Sequence, residues 1–149
     1  MALVPDGVYQ ISNNVGCLTL YAGSKEPGAQ VNLLPSNGGK DPNQSWRVQN
    51  QESTAGNGET VTIQNVASGT YLSYDGSPDT LDPLRGFPDT RQWQVQMGPD
   101  AGQYLLVAPD NFQGMLVADT SLFMIYPPMA ALVPLREASR QDWTFQPVK

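Results

Sequence analysis

Gln44-Ser45-Trp46-Arg47-Val48 returns as Arg91-Gln92-Trp93-Gln94-Val95 and again as Gln141-Asp142-Trp143-Thr144-Phe145. These phrases hold all three tryptophans of the 149-residue chain, at nearly even spacing. Upstream of each lies an alternation of apolar and polar residues: Val8-Tyr9-Gln10-Ile11, Val61-Thr62-Ile63-Gln64 and Tyr104-Leu105-Leu106-Val107. A period of two marks strands, not helices. Second strands follow at 17–21, 70–74 and 115–118, and third strands at 30–34, 84–87 and 132–135, with a further apolar run at 122–126 in the last unit. Turn residues fill the gaps, as in Glu26-Pro27-Gly28, Ser36-Asn37-Gly38-Gly39 and Tyr126-Pro127-Pro128. Ala130-Ala131-Leu132-Val133 contains helix formers, but Pro128 and Pro134 bracket it.

The pattern predicts an all-β chain of about twelve strands in three pseudo-threefold repeats, at approximately 6–50, 59–97 and 102–149. No unit this small buries its own apolar face, so the three must share one core in a single domain, 1–149. The tryptophans are expected to plug that core, each with the polar side chain two places before it bonded to backbone. The stretch 54–59, which contains Asn57-Gly58, reads as a linker between the first two repeats.

Composition points the same way. Charged residues make up 15%, with 14 Gly and 13 Pro, which suits short strands joined by turns better than a helical bundle. The net charge of −6, with only eight Lys and Arg, excludes a phosphate-binding surface, so no nucleic-acid partner is expected. It also argues against an anionic membrane surface, and no apolar run reaches the roughly 20 residues of a spanning helix, so no membrane insertion is expected. The start carries no signal-peptide pattern, which gives a cytoplasmic expectation with unconventional export left open. Cys17, the one cysteine, can form no internal disulfide and reads as a small buried hydrophobe.

The Gln-x-Trp strand ends, together with Ile63-Gln64-Asn65-Val66-Ala67-Ser68-Gly69-Thr70-Tyr71-Leu72, resemble the ricin-B-type β-trefoils found as small single-domain proteins of mushrooms and other fungi. The resemblance spans nearly the whole chain and is strongest in the first two repeats. It implies the β-trefoil fold and a lectin or a protease inhibitor, since one frame carries both.

In sugar sites of that family an Asp on the second strand accepts sugar hydroxyls, an aromatic on the third strand stacks on the sugar face, and an Asn just before Gln-x-Trp adds a contact. In the first repeat these positions read Thr19, Leu34 and Asn43-Gln44, with Tyr21, Asn32 and Lys40 as substitutes. In the second they read Ser73 with Asp75 nearby, then Phe87, then Thr90-Arg91. In the third, Val117 takes the Asp position and no aromatic follows in register. The carbohydrate-binding candidates are therefore Thr19, Tyr21, Asn32, Asn43, Gln44, Asp75 and Phe87.

A protease inhibitor of this fold needs a stiff exposed loop. Ser24-Lys25-Glu26-Pro27-Gly28 offers Lys25, Pro83-Leu84-Arg85-Gly86-Phe87 offers Arg85, and the apolar stretch 126–131 offers Tyr126 or Met129. That apolar stretch also suits contact with a companion subunit. Glycans, a protease or another protein are thus the expected partners of a monomer or weak homodimer. Enzymatic chemistry fits poorly. The chain has no histidine and one cysteine, which removes His-based triads and thiolate zinc sites, and no cofactor is expected.

Overall fold

The structure is a computed structural model that describes residues 4–36, 41–51, 59–75, 82–97, 102–108, 116–121, 128–134 and 143–148. Twelve strands run through them: β1 (Gly7–Ser12), β2 (Cys17–Leu20), β3 (Ala29–Leu34), β4 (Trp46–Gln51), β5 (Glu59–Asn65), β6 (Tyr71–Ser73), β7 (Arg85–Phe87), β8 (Gln92–Met97), β9 (Gln103–Val107), β10 (Leu116–Thr120), β11 (Ala130–Pro134) and β12 (Trp143–Pro147). Two 3-10 turns, Tyr21–Gly23 and Pro42–Gln44, complete the regular structure, and no α-helix occurs among the described residues. Ala130 to Pro134 form a strand, as the bracketing prolines require. The expected linker at 54–58 and the apolar run at 122–126 lie outside the described residues.

Six strands close a ring, β1–β4–β5–β8–β9–β12 and back to β1, through antiparallel pairs at every step. Closure leaves these six strands without a free edge within the ring. The other six form the hairpins β2–β3, β6–β7 and β10–β11. Those hairpins also join one another. Ala29 and Gln30 of β3 oppose Gly86 and Arg85 of β7, Asn32 bridges Met129, and Pro83 bridges Ala131. A wider circuit also closes, because β2, β3, β7 and β6 link β1 to β5. At Gly86 the approach is tight: a Cβ there would lie 2.7 Å from Thr70 Oγ1 and 3.0 Å from Leu20 Cδ1.

The core lies inside this ring and under the hairpins. Trp46, Trp93 and Trp143 are fully buried, among Ile11, Leu18, Leu20, Ile63, Leu72, Leu106 and Leu132. Each indole N–H donates to a backbone carbonyl on the first strand of a hairpin, β2, β6 or β10: Leu18 at 3.0 Å, Leu72 at 2.9 Å and Ala118 at 2.9 Å. An unpaired buried donor would cost about 1–3 kcal/mol, so these bonds fix where each ring lies. Cys17 is buried on β2, and burial pushes its thiol pKa up.

Candidate functional site

The indole bonds define three comparable corners, because the residue after each acceptor carbonyl stands in the same relation to a tryptophan. Those residues are Thr19, Ser73 and Asp119, and all three are buried. The third corrects the sequence expectation, which put Val117 there. Val117 pairs with Val133 and Val107, and Trp143 sets the register two residues further on.

The corner at Thr19 is a neutral network. Gln44 Nε2 donates to Thr19 Oγ1 at 3.2 Å and to the Pro35 carbonyl at 2.8 Å. Gln10 Nε2 reaches Gln44 Oε1 at 3.4 Å, and Ser36 Oγ donates to Gln10 Oε1 at 3.0 Å. Thr19 in turn donates to the Cys17 carbonyl. Asn32 lies opposite Thr19, buried, with its side-chain amide directed at the Pro128 carbonyl. Thr19, Asn32 and Gln44 are thus brought together, as interior groups satisfied by protein.

Tyr21 and Asn43 flank that network from two turns. Tyr21 is exposed on the turn Tyr21–Gly23. Asn43 sits on the turn Pro42–Gln44, which Asp41 caps by accepting the Asn43 N–H at 2.9 Å. The turns touch at Gly23, whose φ is +59° and where a Cβ would lie 2.5 Å from Asn43 Oδ1. Only glycine meets both demands. Lys40 lies outside the described residues.

The corner at Ser73 carries charge. Arg91, two places before Trp93, donates Nε to Ser73 Oγ at 3.0 Å and Nη2 to the Tyr74 carbonyl at 2.9 Å. Its Cζ stands 4.1 Å from the centre of the Tyr74 ring, which meets Trp93 edge to face. Arg85 opposes Ser73 on β7, and half-buried Phe87 opposes Tyr71. Asp75 is exposed just beyond Tyr74. Gln44 and Arg91 therefore both bond a carbonyl as expected, while position 141 lies outside the described residues.

The corner at Asp119 holds a carboxylate. Its Oδ1 accepts the Thr120 N–H at 2.7 Å, and Ala131 is its partner across the hairpin. Two residues along the third strand from each cross-strand partner stand Leu34, Phe87 and Val133, so only the second corner has an aromatic there. Asp119 was missed because an acid is unexpected inside the buried run at 116–119. The register is set by the indole acceptor, which lies 28, 21 and 25 residues before its tryptophan, so counting back at one fixed spacing could not have found the position after it.

The expected inhibitory loops separate clearly. Lys25 is exposed, and its loop is fastened behind: Glu26 N–H donates to Ser24 Oγ, Gly28 N–H to the Gly86 carbonyl, and Arg85 Nη1 to the Gly28 carbonyl. Arg85 belongs to β7, in line with the third strand expected at 84–87, and is half-buried, which corrects its second reading as an exposed loop residue. Met129 is also half-buried, bridging Asn32 and accepting the Ser121 N–H, so it too is no free loop tip. Tyr126 lies outside the described residues. Among the described residues no three His, Cys, Asp or Glu gather as a metal site.

A closed all-β ring capped by three hairpins, each corner pinned by a tryptophan, defines a β-trefoil-like protein. Residues 2–85 and 42–121 match the model of the ricin-type beta-trefoil lectin domain-like family, and the chain belongs to that family. No curated protein matches the sequence. Among solved structures, the Rhizoctonia solani agglutinin superimposes with a TM-score of 0.79 at 21% identity, over 99% of both chains. The Macrolepiota procera ricin B-like lectin, solved with lactose, gives 0.76 at 18%, again over 99% of both. The designed 3-fold symmetric protein ThreeFoil gives 0.75 at 19%, covering 95% of this chain and 99% of its own. At these identities the likeness is one of fold.

Proposed function

We propose that the chain is a carbohydrate-binding protein without catalytic activity, one domain over residues 1–149 made of three repeats, with a neutral-sugar site at Asp119. The observation that carries this is the buried carboxylate itself. Burying an ionised acid costs several kcal/mol unless it is well bonded. Thr19 and Ser73 close comparable corners without one, so the indole bond that defines a corner does not itself call for an acid. Family resemblance assigns that position to the acceptor of paired sugar hydroxyls. Ala131 stands opposite the acid where the other two corners carry Asn32 and Arg85. In the first corner Thr19, Asn32 and Gln44 act as support, with Tyr21 and Asn43 as the groups that meet a ligand.

The lactose of the Macrolepiota neighbour makes β-galactosides the first probes. On a glycan array the protein is expected to bind galactosides, and Asp119→Asn to weaken lactose in calorimetry by about tenfold or more, since the acceptor loses its charge. An array without hits, together with a melting temperature unmoved by millimolar lactose, would sink the reading.

A second reading rests on the loop at 24–28, which presents Lys25 on a fastened, exposed backbone. Such a loop loses little entropy on entering a protease cleft. Titration of trypsin decides it: inhibition abolished by Lys25→Ala supports it, and full trypsin activity at micromolar protein removes it.

A further inference from the structure

We propose that the outer face of β4 to β7 binds a short glycan chain ending in a carboxylate, with Tyr71 and Phe87 under its sugar rings and Arg47 at its acid. This rests on the carbohydrate reading but uses nothing of the Asp119 corner. The strand register builds the site. Arg47 on β4 stands opposite Gln64 on β5, Gln64 opposite Tyr71 on β6, and Tyr71 opposite Phe87 on β7. Direct cross-strand partners share a face, so the four form one row. Their chain neighbours Trp46, Ile63, Leu72 and Gly86 are buried, so the row faces outward. Arg47 is exposed and the other three are half-buried. Three steps of about 4.8 Å give a row of about 14 Å along the sheet, more than one sugar ring covers.

Each group is open to a different part of a sugar chain. Tyr71 and Phe87 set two rings side by side, an apolar strip for the C–H faces of sugars. Gln64 gives its Nε2 to the Gly69 carbonyl at 2.9 Å, which fixes the amide and leaves Oε1 to accept a sugar hydroxyl. Among the described residues the Arg47 guanidinium enters no hydrogen bond or ion pair, so its planar fork is open to a carboxylate. The charges around the row give the ligand a direction. Exposed Asp89 stands two places after Phe87, whereas Ser45, Gln49, Thr62 and Val66, two places from Arg47 or Gln64, carry no charge. Arg85, two places before Phe87, is half-buried and already gives its Nη1 to the Gly28 carbonyl. The acid of the ligand therefore belongs at the Arg47 end, and its neutral units over the two rings.

The test is calorimetry of the full chain with two acidic trisaccharides, glucuronosyl-xylobiose and sialyllactose, each beside its monomeric acid and its methyl ester. One or both trisaccharides are expected to bind, which tells a uronic from a sialic source. Each binder should exceed its monomer by about tenfold, since a single ring reaches only one end of the row. The ester should bind about fivefold more weakly than the acid, the scale of an exposed charge pair, and the gap should shrink with added salt. Arg47→Gln should bind acid and ester alike with its melting temperature unchanged. Tyr71→Ala should weaken acid and ester together, and if it does not fold, Tyr71→Leu, which keeps bulk without a ring, serves instead. The proposal is overturned if neither trisaccharide binds, if the monomer binds as tightly, if Arg47→Gln still prefers acid to ester, or if the Tyr71 variants bind as the native chain does. Lactose binding without binding of either acidic trisaccharide overturns this proposal alone. Acid binding that survives Asp119→Asn while lactose is never bound overturns the Asp119 site and supports this one.

Discussion

Thr19 and Ser73 occupy equivalent places beside Trp46 and Trp93, yet their surroundings differ in kind. At Thr19 the partner two residues before the tryptophan is Gln44, buried and bonded within a chain of neutral side chains. At Ser73 it is Arg91, half-buried, bonded to a hydroxyl and a carbonyl and lying over Tyr74. The backbone task is shared, since each side chain ties a carbonyl just past the end of a hairpin strand: Pro35 after β3 in one corner, Tyr74 after β6 in the other. What differs is access. The neutral network keeps Thr19, Gln10 and Gln44 buried and meets the surface only through Ser36 and Pro35, whereas in the other corner the charged side chain itself is half-buried.

The sharpest way to break this comparison is to remove the tryptophans. Trp46→Ala and Trp93→Ala should each destabilise the protein by about 3–5 kcal/mol, the usual cost of deleting a large buried aromatic. Urea unfolding of the two variants should give nearly equal losses. A clear inequality would mean that the corners do not share one structural role.

The partners should then separate the corners. Gln44→Ala leaves the Pro35 carbonyl and the Thr19 hydroxyl without their donor inside the protein, at a cost of about 1–3 kcal/mol. Arg91→Ala gives up a cation–π contact and bonds at a half-exposed site, so about 1 kcal/mol is expected. The same denaturation series reads both. If Arg91→Ala costs more than Gln44→Ala, the charged corner is the more structural of the two and the comparison reverses.

The sequence made the frame legible for a physical reason. A buried indole needs an acceptor, and the second strand that follows each alternating strand supplies one, so three spaced tryptophans imply three pinned corners. Gln44 and Arg91 were also readable, because their places follow from the tryptophan two residues on. Asp119 was not. Its strand extends to Thr120, past the apolar run that marked it, and hydrophobic pattern places a strand better than it sets the register within it. Arg85 and Met129 were misplaced for a related reason. Pro and Gly nearby resemble loop punctuation, but here the hairpins join one another and draw those residues into pairs.

A smaller effect is expected at Thr19 itself. Thr19→Val keeps the shape and removes a hydroxyl that both accepts from Gln44 and donates to the Cys17 carbonyl. About 1 kcal/mol should be lost in thermal or urea unfolding, with lactose affinity unchanged. Weakened lactose binding would show that the buried Thr19 hydroxyl itself takes part in recognition, and the contrast with Ser73 would have to be redrawn.

The smallest effect concerns acid, and it acts on the strands that frame the first corner. Asp6 precedes β1, and its Oδ1 accepts both the backbone and side-chain N–H groups of Asn50 on β4, each at 2.8 Å. The side-chain bond, then the backbone bond, hold its carboxyl below the ordinary 3.8, with slight desolvation opposing them. The folded protein therefore keeps this acid ionised at a pH where the unfolded chain has begun to protonate. Its contribution is present above 3.8 and is lost as pH falls through the depressed value. Asp6 is fully exposed, so the change is small, and it is best read as a difference between variants. Asp6→Asn keeps an oxygen acceptor without the charge, so its melting temperature should fall less than that of the native chain between about pH 5 and about pH 3. Equal slopes would mean that β1 and β4 are held by their ladder alone, and that the first corner owes nothing to charge anywhere along its edge.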